Sequence, residues 1–260
     1  MRLARLLAPA AVLAAALAGS CTDVSTSPNA AVSLAFDSLP YPSVVAGDTL
    51  RDSLGIVALL HAVAYNSGGG VIASPGIQYV ALDTGLTISS AGIAVARARS
   101  GTARFVAIVN GIQSVTKTIL ISRRPDSVFA TSSRDTTVLF TIPDSALKNV
   151  TSGLSLKVIT KDTAGGVPGS SGWLVSYQTF FRSVALSSKD STTASLWDES
   201  GRVSAVDTTF SDGSASRRLR LRSLLLPTTP DSFVVLATVR YRGAAVRGSP
   251  VRYVIRTRPR

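Results

Sequence analysis

One cysteine, one histidine and one methionine occur in 260 residues, and Glu199 is the only glutamate. A single cysteine, Cys21, excludes an intramolecular disulfide. With His61 as the only histidine, a zinc site of three or four nitrogen and sulfur ligands cannot be built. A serine–histidine–aspartate set would have to use His61, and no G-x-S-x-G elbow is present to hold the serine. The chain also lacks a Walker loop, a dinucleotide fingerprint and a spaced aspartate calcium loop. Asp198 and Glu199 are adjacent carboxylates, but Trp197-Asp198-Glu199-Ser200-Gly201 reads as a turn. Neighbours on a strand point to opposite faces, so they do not make a glycosidase pair. The expectation is no enzyme, no cofactor and no metal, with His61 a core or edge residue whose imidazole is satisfied.

What is present starts with an address. Arg2 and Arg5 precede an apolar run from Leu6 to Leu17, followed by Ala18-Gly19-Ser20-Cys21. A basic start, a short apolar run and small residues make an export signal; the run has 12 residues, where a bilayer span needs roughly 20. The last residues resemble a bacterial lipobox, which implies diacylglycerol on Cys21 and a membrane partner through that lipid. The rival reading is cleavage after Ala18, which releases a soluble periplasmic protein. Residues 1–20 are therefore assigned to a signal peptide and 21–31 to a lipidated polar tether. Thr22 after the cysteine implies, by the same resemblance, sorting to the outer membrane.

Hydrophobic content of 45% excludes a disordered chain, and serine, threonine, glycine, valine and alanine dominate, as in β-rich exported proteins. Strands are expected at Val32–Phe36, Ile77–Leu82, Leu86–Ser89, Gly92–Ala98, Thr102–Val109 and Ile112–Ile121. Leu54–Tyr65 is apolar on both alternating faces and fits a central buried strand or a short helix. Asn110-Gly111 is the strongest hairpin signal. After Arg123-Arg124-Pro125 the pattern restarts, with strands expected at Thr136–Ile142, Leu154–Thr160, Trp173–Gln178, Phe181–Leu186, Arg202–Asp207, Ala215–Leu224, Phe233–Arg242 and Val251–Thr257. Asp212-Gly213 marks another hairpin, and extended loops are expected near Ser187–Thr193 and Pro227–Asp231. Both halves close on a strand followed by arginine and proline, a weak internal repeat. The fold expected is all-β: two sandwiches in tandem, residues 32–125 and 126–260, each with its own interior.

Lys157-Val158-Ile159-Thr160-Lys161-Asp162-Thr163-Ala164-Gly165-Gly166-Val167-Pro168-Gly169 resembles the start of a bacterial Ig-like domain of the invasin and intimin type. Trp173-Leu174-Val175-Ser176-Tyr177 stands where such domains carry an aromatic core strand, and Asp207-Thr208-Thr209 through Ser216 resembles their approach to a hairpin. Ala46-Gly47-Asp48-Thr49, Tyr65-Asn66-Ser67-Gly68-Gly69 and Ser100-Gly101-Thr102-Ala103 resemble the related group-2 pattern. The resemblance implies Ig-like sandwiches and says almost nothing of function.

Arginine is the feature that asks for a partner. From Arg182 to Arg260 there are 14 basic and 6 acidic residues, +8; from Cys21 to Phe181 there are 11 and 9, +2. Arg218, Arg220 and Arg222 share one face of a strand, with Leu219 and Leu221 on the other. Arg240 and Arg242 share a face, as do Arg252, Arg256 and Arg258. A hairpin centred near Val246 would set Arg240 opposite Arg252, a like-charge pair that invites an anion. Arg218, Arg220, Arg222, Arg240, Arg242, Arg252 and Arg256 are thus candidate anion-binding residues, against the plain alternative of a solvated face. The expected role is a non-catalytic envelope protein, outer-membrane or periplasmic, whose modules serve as spacer and contact surface. Its partner would be an anionic polysaccharide or matrix rather than nucleic acid. The alternative is an accessory subunit that docks another envelope protein through an exposed strand edge. Trp173 and Trp197 are expected in cores, Trp197 being the better candidate for exposure.

Overall fold

A computed structural model describes residues 30–141, 148–161, 165–187, 193–222 and 231–259. The leader, Cys21 and the tether up to Asn29 lie outside the described residues, as do most of the two expected loops at 188–192 and 223–230. Everything described is strand, turn or irregular chain, and no helix occurs among these residues.

The first half holds β1 (Ser33–Phe36), β2 (Ser43–Val45), β3 (Ala62–Tyr65), β4 (Gln78–Ala81), β5 (Leu86–Ile88), β6 (Ala94–Ala96), β7 (Gly101–Val109), β8 (Ile112–Gln113) and β9 (Lys117–Ser122). The second holds β10 (Ser127–Ala130), β11 (Asp135–Phe140), β12 (Leu154–Ile159), β13 (Leu174–Phe181), β14 (Val184–Ala185), β15 (Ala194–Trp197), β16 (Val206–Thr208), β17 (Ser214–Leu221), β18 (Asp231–Tyr241), β19 (Ala244–Ala245) and β20 (Val251–Pro259).

Strand order identifies the architecture. In the second half one sheet runs β10-β12-β17-β15 and the other β11-β20-β18-β13, with β14 and β16 beside β13. Lettered along the chain, these are A-B-E-D and A′-G-F-C, the immunoglobulin-like sandwich with its first strand split between the sheets. The first half repeats the second sheet as β2-β9-β7-β4. In both halves the early strand lies parallel to the last one, β2 on β9 and β11 on β20. The weak sequence repeat is therefore a topological repeat. No strand pairing crosses from the first half to the second among the described residues.

Period-two burial builds these sheets. Along β17 inward and outward residues alternate over all eight positions, and β12 alternates the same way. Asn110 and Gly111 both take positive φ and close the β7–β8 hairpin as the sequence predicts. Gly213, at φ +82°, turns the chain between Phe210 and Ser214; a Cβ there would meet the Val158 carbonyl oxygen at 2.2 Å.

Four expectations need correction. Leu54–Tyr65 is neither a buried strand nor a helix. Asp52 accepts amide bonds from Leu54 and Ile56, Gly55 turns the chain at φ +87°, and only 62–65 joins a sheet. Leu54, Ile56, Val57 and Leu59 are left exposed. Phe181–Leu186 is not one strand: β13 runs through Phe181, the chain turns at Arg182 and Ser183, both at positive φ, and only Val184–Ala185 pairs back on β13 as β14. Arg202–Asp207 contributes only β16, because Asp198 and Arg202 close a turn. Finally, the two interiors are not separate. One cluster of buried residues runs from Tyr41, Leu50 and Phe105 through Trp173 to Tyr253, with a small alanine-rich second cluster between β1, β3 and β7.

Candidate functional site

Trp173, 2% exposed, is where the halves meet. Two of the sequence motifs hold it there. The Ser170 amide bonds the Val158 carbonyl of β12 at 2.9 Å. Thr209 Oγ1 donates to the Ser170 carbonyl at 2.8 Å and accepts the Trp173 amide at 2.9 Å. The indole Nε1 then donates to Ser170 Oγ at 2.9 Å. The ring so fixed meets Tyr41 edge-on at 6.1 Å on one side and Tyr241 at 5.9 Å on the other. Both distances fall in the favourable range for aromatic pairs. The Leu174 amide donates to the Tyr41 hydroxyl across the boundary at 3.0 Å. Burial, only partly offset by that bond, pushes the Tyr41 phenol up to about 12.

Beside the aromatics sits an ionic cluster around the buried Asp48. Gly47, at φ +74°, closes the turn Val45–Asp48, and the Ala96 amide bonds the Asp48 carbonyl, so the Asp48 side chain is aimed at the second half. Its Oδ2 accepts the Tyr241 hydroxyl at 3.0 Å and Arg242 Nε at 2.8 Å, while Oδ1 accepts the Thr49 amide at 2.8 Å and Arg51 at 3.4 Å. Burial alone would raise this carboxyl; the bonds from Arg242, Thr49, Tyr241 and Arg51 outweigh it and hold it far below the usual carboxylate range. Ser43 Oγ to the Gly172 carbonyl, 2.8 Å, and Ser122 Oγ to the Ser171 carbonyl, 2.7 Å, complete the joint. Neutralising the lowered carboxyl costs binding, so its contribution is full above the unfolded carboxylate value near 4 and is lost as pH falls through the folded value. The melting temperature of the full chain should therefore drop progressively below about pH 4. Asp48→Asn should flatten that acid limb and cost about 1–3 kcal/mol at pH 7. An unchanged acid limb in the variant would mean that Asp48 is not held in this way.

The seven candidate arginines are not one surface. Arg218 and Arg220 lie on the outer face of β17, opposite Trp197 and Ser195 of β15, and Arg222 follows just past the strand end. Arg220 stacks over the Trp197 ring at 4.4 Å and Arg218 donates to the Glu199 carbonyl at 2.9 Å. Trp197 is thereby half covered, and Arg218 with Trp197 and Glu199 lines an open cavity of about 470 Å³. Arg240, Arg252 and Arg256 stand on the outer face of the other sheet, across the sandwich from these. Arg256 pairs with Asp135 at 2.8 Å, and Arg242 belongs to the joint.

The expected Arg240–Arg252 opposition does not occur. The hairpin turns at Arg242-Gly243, pairing Arg240 with Ala245, while Arg252 faces Leu236. Val246–Pro250 bulges out between these registers: the Val239 amide takes Ser249 Oγ instead of a backbone partner, and Pro250 has no amide hydrogen to donate. At about 3.3 Å per residue the two arginines end roughly 13 Å apart along the strand.

His61 is exposed, not core, and its Nδ1 lies 2.5 Å from Asp37 Oδ2. Asp198 and Glu199 lie in the other half, where Asp198 bonds Arg202; no hydrogen bond or ion pair joins them to His61 among the described residues. No group of three histidine, cysteine, aspartate or glutamate side chains gathers there either.

No family model and no curated protein matches the chain. Solved structures do match. Domains 4 and 5 of the S-layer protein SbsC match at 11% identity, over 87% of this chain and 96% of that one, with a TM-score of 0.30. The adhesin InvE of Yersinia pseudotuberculosis matches at 13% identity over 86% and 58%, with a TM-score of 0.32. The Escherichia coli adhesin FdeC matches at 16% over 85% and 63%, with a TM-score of 0.28. The chain spans 27% of a longer SbsC structure. The Ig-like reading rests on the strand order described above, not on these scores.

Sequence reasoning missed Asp48, Tyr41 and Tyr241 as a group. The available signal was Ala46-Gly47-Asp48-Thr49, taken above only for its resemblance to the group-2 pattern.

Proposed function

We propose that the chain is a non-catalytic cell-envelope lipoprotein, held by lipid on Cys21, whose two Ig-like units form one rigid spacer that presents a contact surface for adhesion or matrix binding. The joint supports this reading. A flexible pair of modules needs no shared interior, whereas here Tyr41, Trp173 and Tyr241 meet edge to face in series and Asp48 takes two donors from the far unit. A spacer that fixes the height and angle of its distal end needs such a joint. The dispersal of His61 from Asp198 and Glu199 supports a role without catalysis.

The anchor is tested in cells fed an alkyne-tagged fatty acid. The full chain should take up label and sediment with outer membrane, and Cys21→Ser should lose both label and sedimentation. Label that persists on the serine variant overturns the anchor.

A second reading, docking of an envelope partner by strand addition, has one observation in its favour. Among the described residues strand β4 pairs with β7 alone, and Val80 on it and Leu82 just past it are exposed.

A further inference from the structure

Aspartates pair with arginines throughout the described residues: Asp83 with Arg104, Asp126 with Arg247, Asp135 with Arg256, Asp198 with Arg202, Asp207 with Arg217 and Asp231 with Arg182, while Asp48 takes both Arg51 and Arg242. Against that pattern, one groove collects cations that have no described carboxylate. It is about 670 Å³, open, and runs along the linker between the two units, lined by Ala46, Arg99, Arg123, Arg124, Pro125, Asp126, Thr160 and Lys161. Arg99 comes from the turn between β6 and β7, Arg123 and Arg124 from the exit of β9, and Lys161 from the exit of β12, so three strand ends deliver four exposed cations to one place. None of the four forms an ion pair among the described residues. Among the described residues the only carboxylate in the lining, Asp126, is taken by Arg247 at 2.7 Å. Bringing like charges together is unfavourable without a counter-charge.

The groove is also built rather than incidental. Its floor is the linker, held to the second unit by the Asp126 amide on the Ile159 carbonyl at 2.8 Å and by Ser170 Oγ on the Arg123 carbonyl at 3.3 Å. Pro125 is buried between them. Arg124 is steadied by the Tyr241 ring beneath it at 5.4 Å. The same joint that locks the units therefore fixes the spacing of the cations.

We infer that this groove binds a stretch of acidic polysaccharide, the guanidinium forks and the Lys161 ammonium engaging its carboxylate or sulfate groups. An open trough suits a chain that enters and leaves at both ends rather than an enclosed small molecule. Nucleic acid fits less well: single strands stack their bases on aromatic platforms, and no aromatic side chain lines the groove. This inference deepens the contact-surface reading but does not need the lipid, so its failure and that of the anchor are distinguishable.

The test measures binding of the full chain to immobilised heparin, polygalacturonate, neutral dextran and single-stranded DNA across a salt series. Two triple variants with equal charge loss are compared, Arg99→Ser/Arg123→Ser/Lys161→Ser in the groove and Arg218→Ser/Arg220→Ser/Arg252→Ser on the outer faces, each checked for an unchanged melting curve. Expected are binding of both acidic glycans and not dextran, and an affinity loss of roughly tenfold or more with a shallower salt dependence in the groove variant. The outer-face variant should lose less than about threefold. Equal losses would reduce the effect to net charge and overturn the site. So would absence of glycan binding, or DNA bound as tightly as the glycans.

Discussion

Trp173→Ala is expected to destabilise the full chain by about 3–5 kcal/mol, a fall in melting temperature of roughly 6–20 °C for a protein of this size. The residue is fully enclosed, and its removal opens a cavity bounded by parts that cannot collapse easily. Thr209 and Ser170 are tied to each other and to the backbone, and Tyr41 is pinned through its hydroxyl. The indole also carries the Ser170 bond, so Trp173→Phe, which keeps most of the area and loses that bond, should cost about 1–2 kcal/mol. A second readout separates the joint from the core. Because one cluster of buried residues spans both units, the parent should unfold in a single calorimetric transition. Without the indole, the ring that meets both tyrosines is gone, and the transition should split in two. A single transition with a loss below about 1 kcal/mol would mean that the units are held together elsewhere.

How much of this was legible in the residues depends on length and distance. Long strands with clean alternation, β12, β17, β18 and β20, were readable because period-two burial needs several residues to declare itself. Strands β2, β10 and β15 have three or four residues each and were missed; β4, β5 and β6 are as short and were read, because the alternation there continues past the paired residues. The Leu54–Tyr65 stretch misled for the opposite reason. Its apolar content is high, but Asp52 and Gly55 impose a turn, and a turn overrides hydrophobicity locally. The hairpins at Asn110-Gly111 and Asp212-Gly213 were legible because positive φ has a residue signature. The joint was not, since its partners stand 129 residues apart at Ser43–Gly172 and 194 apart at Asp48–Arg242. Outward-facing arginines were readable from spacing; which of them meet is a matter of register. A bulge at Val246–Pro250 was enough to part Arg240 from Arg252.

One arginine escaped notice although the alternation announced it. If Arg218 and Arg220 face outward, Arg217 must face inward with Leu219, and it does, at 8% exposure. Its Nη1 stands 2.9 Å from Asp207 Oδ2, and its remaining donors go to the Ser204, Val206 and Ser216 carbonyls. Asp207 in turn accepts the Ser216 amide at 2.8 Å. A guanidinium on β17 thus holds β16 and the chain before it against the sheet, in a place where neither charge has much water. Arg217→Ala should therefore cost about 3–5 kcal/mol, because it strands a buried carboxylate and several carbonyls at once. Asp207→Asn should cost less, about 1–2 kcal/mol, since the carbonyls still satisfy the guanidinium and the amide oxygen still accepts from Ser216. Combining Arg217→Met with Asp207→Leu should recover part of the loss, as buried pairs replaced whole by apolar groups of similar volume often do. Urea unfolding of the three variants decides the matter. If Asp207→Asn proves as damaging as Arg217→Ala, the charge pair itself holds this corner. The ordering predicted here would mean that the guanidinium acts chiefly as a multi-donor bracket for backbone carbonyls, and that its charge is the cost of having so many donors on one side chain.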